Sequence, residues 1–67
     1  MIEVNVNGAP RRFESDTDIA ALLDRLQLAG KRVAVERNGE IVPRSRFPEQ
    51  TLADGDRIEI VVAVGGG

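Results

Sequence analysis

Polar and apolar residues alternate over several short stretches of the chain, and this pattern predicts β-strands. Residues 2–7 read Ile-Glu-Val-Asn-Val-Asn, which places β-branched side chains at every second position. An Asn-Gly pair at residues 7–8 then predicts a tight turn, with Pro10 ending the turn region. Residues 11–14 follow as a second strand with Phe13 pointing inward, so the chain opens with a predicted β-hairpin.

One segment instead repeats its apolar residues with the period of an α-helix. The residues at positions i, i+3, i+4 and i+7 are Ile19, Leu22, Leu23 and Leu26. Ser15 and Asp18 resemble a capping box, which predicts that the helix begins at Ser15. Gly30 is the expected left-handed residue at the other end. The pattern therefore predicts one amphipathic helix with a single apolar stripe.

The second half of the chain returns to strand patterns separated by turns. Residues 33–37 and 40–42 flank another Asn-Gly pair and predict two short strands. Residues 44–50 show no clear period, which predicts a surface loop anchored by Phe47. Residues 57–64 form the last and longest predicted strand, after a turn rich in Asp and Gly. The order β-β-α-β-β-β predicts an α+β domain in which one helix covers one face of a sheet.

The composition removes most kinds of chemistry from the chain itself. Its 67 residues have a formal net charge of -2 and include no Cys, His, Trp or Tyr. Disulfides, thiolate nucleophiles, zinc fingers and Ser-His-Asp arrangements therefore cannot form within it. Two aromatic residues and an excess of acids over bases also argue against a nucleic-acid surface. We expect a domain without catalytic residues, and without a metal or cofactor of its own.

The sequence also bears on where the protein is located. No stretch reaches the ~18–20 apolar residues of a membrane span. The N-terminal residues Met-Ile-Glu-Val lack the basic start and apolar run of a signal peptide. We therefore expect a cytoplasmic protein that does not associate with membranes.

Three glycines, Gly65, Gly66 and Gly67, follow the predicted last strand directly. They predict a flexible tail at residues 65–67 after a folded domain at residues 1–64, since glycine loses the most entropy on ordering. Such a tail can enter a slot too narrow for other residues, and it presents an α-carboxylate that is ionised at neutral pH. A carboxylate needs activation before it reacts. The chain has no Walker-type loop, so a partner would have to bind the ATP. A frayed end or linker stub remains the alternative.

The predicted last strand also has an apolar side that points away from the helix. Its period of two places Val61 and Ala63 on that side, and Ala34 of the third strand is expected beside them. A contiguous apolar patch next to a reactive tail predicts a partner-binding surface. An ordinary apolar spot on the surface is the alternative.

Three segments of the chain carry a resemblance to a known family: residues 35–44 (VERNGEIVPR), 52–60 (LADGDRIEI) and 64–67 (VGGG). In combination they resemble the ubiquitin-like, β-grasp sulfur carriers of the ThiS family of thiamine biosynthesis. The resemblance covers the whole chain. It implies a β-grasp fold, with a mixed sheet of four to five strands covered on one face by a single helix.

The resemblance also implies a function, a modified residue and a set of partners. In that family an E1-like adenylyltransferase of the ThiF type uses ATP to adenylate the terminal glycine, here Gly67. The carboxylate then becomes a thiocarboxylate, with sulfur from a donor such as a cysteine desulfurase. A thiazole synthase of the ThiG type takes up this sulfur. Gly65 and Gly66 are implied to be the tail that enters the partner's active site.

Three other classes of protein remain open at this point. The sister carriers of molybdopterin synthesis are usually longer, and often have Pro and Ser or Ala before the diglycine. Residues 61–64 read Val-Val-Ala-Val here, which favours the thiamine branch. A ubiquitin-like modifier is a second class, although Lys31 is the only lysine from which chains could be built. A plain interaction module without tail chemistry is the third.

Overall fold

The computed structural model describes residues 1–63, in which five strands, one α-helix and one 3₁₀ helix follow one another along the chain. These elements are β1 (Ile2–Val6), β2 (Ala9–Phe13), α1 (Ile19–Arg25), β3 (Val33–Arg37), β4 (Glu40–Val42), the 3₁₀ helix (Arg44–Glu49) and β5 (Arg57–Val62). The predicted tail at residues 65–67 and the predicted domain boundary after Val64 lie outside the described residues. No helix within residues 1–63 has the length and hydropathy needed to span a bilayer.

The five strands form one mixed sheet in the order β2-β1-β5-β3-β4. Two antiparallel hairpins, β1-β2 and β3-β4, lie on either side of β5. β5 runs parallel to β1 and antiparallel to β3, and it pairs with both. The predicted mixed sheet of four to five strands is therefore confirmed, with the last strand of the chain at its centre.

One face of the sheet is buried under α1 and the 3₁₀ helix. The core residues are Val4, Val6, Phe13, Ile19, Leu22, Leu23, Val35, Val42, Phe47, Leu52, Ile58 and Ile60. Three of the four residues in the predicted helical stripe belong to this core. The fourth, Leu26, follows the last residue of α1 and is only partly buried.

The helix begins three residues later than the sequence pattern predicts. Asp18 is the N-cap, and its carboxylate accepts a hydrogen bond from the Ala21 amide at 2.8 Å. The prediction of a start at Ser15 was wrong because the segment before α1 pairs with another part of the chain. The Ile19 amide donates to the Gln50 carbonyl and the Leu52 amide to the Thr17 carbonyl, which holds residues 17–19 extended.

The helix also ends earlier than predicted, and a residue other than glycine ends it. The Gln27 amide donates to the Asp24 carbonyl, and the Leu28 amide donates to the Leu23 carbonyl. These are the two bonds of a Schellman motif, with Gln27 in the left-handed conformation at φ 61°. Gly30 also has a positive φ, but it lies in the next turn and does not cap the helix.

Three local predictions in the loops and strands need correction. Pro10 lies inside β2 opposite Asn5, and does not end the turn before it. Proline is tolerated there because β2 is an edge strand. Residues 44–49 form the 3₁₀ helix instead of an irregular loop, although Phe47 is buried as predicted. The last strand was predicted at residues 57–64. The described strand β5 ends at Val62, and Val64 lies outside the described residues.

A buried carboxylate fastens the beginning of β5 to the turn between β3 and β4. Asp56 is 6% exposed, and its side chain accepts hydrogen bonds from the Ala53 amide at 2.8 Å and the Asn38 side chain at 3.1 Å. It also forms an ion pair with Arg37 at 2.9 Å. Burial acts to raise the pKa of Asp56. The hydrogen bonds from Ala53 and Asn38 and the charge of Arg37 outweigh that effect and hold the pKa below its ordinary value.

A side-chain amide holds β5 further along its length. Asn7 leaves β1 with a positive φ, at the turn into β2. Its side chain accepts a hydrogen bond from the Ile60 amide at 2.7 Å and donates one to the Ile60 carbonyl at 3.1 Å. The pairing of β1 with β5 ends at Val6. Beyond it, the side-chain amide of Asn7 takes the place of a strand backbone in bonding the Ile60 amide and carbonyl.

We expect Leu22→Ala to lower the free energy of unfolding by about 2–5 kcal/mol, because it leaves a cavity beneath a fully buried side chain. Leu26→Ala is the matched control, and it should cost clearly less because Leu26 is only partly buried. Urea unfolding followed by circular dichroism measures both variants. Equal losses would show that the two leucines contribute alike to the core.

We expect Asp56→Asn to lower the free energy of unfolding at pH 7 by about 1–3 kcal/mol, because charged hydrogen bonds are lost. The pKa of Asp56 is lower in the folded protein than in the unfolded chain, so the unfolded chain binds a proton at this carboxylate more readily. The stabilisation by Asp56 is therefore complete above the unfolded pKa of about 3.9, and is lost as the pH falls through the folded pKa.

Urea unfolding from pH 7 to pH 2 measures this effect. The difference between wild type and Asp56→Asn should shrink below about pH 4. Asp24→Asn on the exposed surface of α1 is the control, and should stay close to wild type throughout. A gap for Asp56→Asn that is the same at every pH would contradict the role given to the carboxylate.

Candidate functional site

The outer face of the sheet, opposite to α1, carries the predicted partner-binding residues. Ile58 and Ile60 of β5 are buried on the inner face, whereas Val61 is 65% exposed. Ala34 of β3 lies directly opposite Val61 in the antiparallel register, and it is exposed as well. The alternation predicted for the last strand is therefore confirmed along these residues.

Ala63 continues this apolar surface just beyond β5. Its amide donates a hydrogen bond to the Arg32 carbonyl at 2.9 Å, which continues the pairing of β5 with the chain before β3. Ala63, Val61 and Ala34 line one shallow depression, together with Val33, Arg32 and Arg44. The structure thus brings the three predicted residues together. Their role in binding a partner stays a prediction.

Ile41 of β4 is a residue of this face that the sequence analysis missed. It is 68% exposed and lies opposite Glu36, while its neighbour Val42 is buried opposite Val35. A strand of three residues gives too short an alternation to assign its faces. The pairing with β3 decides that Ile41 belongs on the outer face, one strand away from Ala34.

Arginine side chains at the edge of the depression were also missed as a group. Arg32 precedes β3 and Arg44 begins the 3₁₀ helix, so twelve positions separate them in the chain. The sequence analysis had no signal for this proximity, because residues twelve positions apart come to one depression only through the tertiary fold. Both side chains are exposed, and they line the same depression as Ala63.

The end of the outer face away from Ala63 carries more negative than positive charge. Glu36 of β3 and Glu59 of β5 lie directly opposite one another, and they share a shallow depression with Arg57. Like charges in opposed positions destabilise a strand pair. The end of the outer face next to Ala63 is therefore flanked by two arginines, whereas the other end has two carboxylates and one arginine.

Metal chemistry has no support from the described side chains. Within residues 1–63, no three Asp or Glu side chains gather into a group that could hold a metal ion. Gly65, Gly66 and Gly67, which carry the predicted tail chemistry, lie outside the described residues. The described part of the site is accordingly a surface at the base of the tail.

Comparison with known proteins connects nearly the whole chain, including its three glycines, to one family. Residues 4–67 match the ThiS family. The chain belongs to the ThiS family. It is 46% identical over 65 residues to the sulfur carrier protein ThiS of Bacillus subtilis, an alignment that covers 96% of this chain and 98% of that protein.

The fold of a solved ThiS family member agrees with the one described above. The crystal structure of the thiamine biosynthesis protein ThiS from Geobacter metallireducens superimposes with a TM-score of 0.83 at 35% identity. The superposition covers 98% of this chain and all of that one. The resemblance to the ThiS family and the β-grasp architecture that it implies are therefore confirmed.

Some relatives of this ThiS family chain are much longer proteins. It is 45% identical over 62 residues to a thiazole synthase of Paramagnetospirillum magneticum, and this match covers 92% of the chain. The chain spans about a fifth of the length of the two thiazole synthases that it matches, 19% of one and 20% of the other. The similarity is thus confined to one segment of these longer proteins.

We expect substitution by aspartate to change the free energy of unfolding very differently at two adjacent residues of β5. Val61→Asp should change the free energy of unfolding by about 1 kcal/mol or less, because its side chain is exposed. Ile60→Asp should cost about 3 kcal/mol or more, because it places an unpaired charge in the core. Urea unfolding of both variants checks the face assignment, and similar losses at the two positions would refute it.

Proposed function

We propose that this chain is the sulfur carrier for thiazole formation in thiamine biosynthesis, and that the α-carboxylate of Gly67 carries the sulfur. The observation that carries the proposal is the family match, which extends through the three glycines to residue 67. A relative named as the sulfur carrier ThiS aligns with this chain over nearly its whole length. This relative favours the thiamine branch over the carriers of molybdopterin synthesis.

The proposed chemistry takes place on the terminal carboxylate in two steps. First, a carboxylate oxygen attacks the α-phosphorus of ATP, pyrophosphate leaves, and an acyl adenylate forms. A sulfide equivalent then attacks the acyl carbon, and the C–O bond to AMP breaks. AMP leaves, the proton of the sulfide goes to solvent, and the chain end becomes a thiocarboxylate. No oxidation or reduction of the carboxyl carbon is needed.

The chain's own contribution is to hold and present this carboxylate. β5 pairs with strands on both sides, so the residues before the tail have a fixed position in the sheet. Gly65 and Gly66 add no side chains, which suits a narrow channel in an enzyme. Ala34, Val61 and Ala63 supply an apolar surface for the enzyme to contact at the base of the tail.

The proposal requires at least three partners, which supply the catalysis that a carrier lacks. An E1-like adenylyltransferase of the ThiF type binds the ATP. A donor such as a cysteine desulfurase provides the sulfur as a persulfide, and a thiol reductant releases it as the sulfide used above. A thiazole synthase of the ThiG type then takes up the sulfur. The thiazole synthase partner is supported by the longer relatives, in which a segment similar to this chain belongs to a protein of that name. A cytoplasmic location is part of the proposal.

We expect the purified chain to gain the mass of one oxygen replaced by sulfur when it is incubated with ATP, sulfide and the adenylyltransferase. Intact-protein mass spectrometry measures this change, and omission of ATP is the control that should abolish it. Adding one alanine after Gly67 should prevent the change, because the carboxylate moves out of register with the activating site. Gly66→Val should also prevent it, because a β-branched side chain thickens and stiffens the tail.

Both variants should retain the unfolding transition of wild type, because the changes lie after the last residue of β5. This property separates a tail effect from a loss of folding. If the extended chain is thiolated as readily as wild type, Gly67 is not the reactive residue and the proposal fails. Formation of an isopeptide with another protein in place of a thiocarboxylate would assign the chain to the modifiers.

A further inference from the structure

We infer that Arg32 and Arg44 form a cationic pair that recognises acidic side chains of the adenylyltransferase. The pair lies at the base of the tail, beside the apolar residues Ala34, Val61 and Ala63. The inference rests on the proposed function, because it specifies the chemistry of the surface that the activating enzyme presents to the carrier. It concerns the docking of the folded domain and is separate from the chemistry of the tail.

The fold places both arginines at this position by independent routes. The Arg32 carbonyl accepts the hydrogen bond from the Ala63 amide at 2.9 Å, so its backbone is fixed to the base of the tail. Arg44 is the first residue of the 3₁₀ helix, which packs into the core through Phe47. Both arginines therefore extend from anchored backbone, and both help to line one mainly apolar depression.

The charges around this depression favour an acidic partner. The depression has two arginines and no acidic residue in its lining. Within residues 1–63 neither Arg32 nor Arg44 forms an ion pair with a carboxylate, whereas Arg37 is paired with Asp56. The whole chain has a formal net charge of -2, so this end of the outer face differs in sign from the molecule as a whole.

The opposite end of the same face provides a reason for the arrangement. There, the opposed pair Glu36 and Glu59 shares a depression with Arg57, and the local charge is negative. A partner with acidic groups facing Arg32 and Arg44 would be repelled if it docked the other way round. Complementary charges of this kind fix the orientation of a complex and raise its association rate. Orientation is needed here because the tail must point towards the nucleotide.

The surface also has the general composition of a protein interface. Its lining combines four apolar residues with two arginines, and arginine is enriched in interfaces where lysine is depleted. The adenylyltransferase is the partner we assign to it, because that enzyme is the first to act on the free carboxylate. A contact used by the thiazole synthase alone is an outcome that the test can reveal.

The test compares Arg32→Gln/Arg44→Gln with the matched control Arg57→Gln, which removes one positive charge from the other end of the same face. Titration calorimetry measures the Kd for the adenylyltransferase without ATP. In salt of about 0.1 M, the double variant should bind roughly three- to thirtyfold more weakly than wild type, from two exposed ion pairs. In about 1 M salt the difference should nearly vanish, because charges are screened within about 3 Å.

The control should bind within twofold of wild type, and all three proteins should unfold alike in urea. A loss smaller than threefold for the double variant, an equal loss for Arg57→Gln, or a loss that persists in high salt would each overturn the inference. Weaker binding to the thiazole synthase with unchanged binding to the adenylyltransferase would overturn it too. Mass spectrometry of wild type tests the proposed function separately. If wild type is thiolated and the double variant binds the adenylyltransferase as tightly as wild type, the inference about the arginine pair is rejected and the proposed function is retained.

Discussion

The structure depends on the pairing of β5 with two strands that are distant in the chain. The hairpins β1-β2 and β3-β4 have no pairing with each other, and β5 joins them into one sheet. Because β5 follows both hairpins in the chain, the sheet is complete only when residues 57–62 are in place. Such contacts join residues that are far apart in the sequence, so forming them requires a loss of chain entropy.

Polar side chains make that central position specific. Asp56 binds the turn after β3 at the beginning of β5, and Asn7 binds the backbone of Ile60 further along. A shifted register of β5 would break the hydrogen bonds of Asp56 and Asn7. Polar groups left without a partner away from water cost free energy, so the shifted register is disfavoured. Among the described residues, every buried side-chain nitrogen and oxygen has a hydrogen-bond partner. The register therefore decides which side chains of β5 face outward.

This architecture agrees with the proposed role of Gly67, which follows the central strand in the chain. Ala63 follows β5 directly and is still hydrogen-bonded to the chain before β3. A partner that contacts Val61 and Ala34 is therefore positioned relative to the base of the tail by the sheet itself. In the proposed function, partner enzymes supply the catalysis and this chain presents one carboxylate.

The sequence by itself determined the order of the strands and helix, the inner face of β5, and the association of Ala34, Val61 and Ala63. These features follow from local periodicity and turn residues, which act over a few positions. The tertiary structure alone decided that Asp18 caps the start of α1, that left-handed Gln27 follows its end, and that Arg32 and Arg44 line one depression. Each depends on a distant segment or on the geometry of the helix ends. The Gln50–Leu52 segment, for example, holds residues 17–19 extended. Contacts between segments far apart in the chain leave no periodic trace in the sequence, so they become visible only when the fold is known.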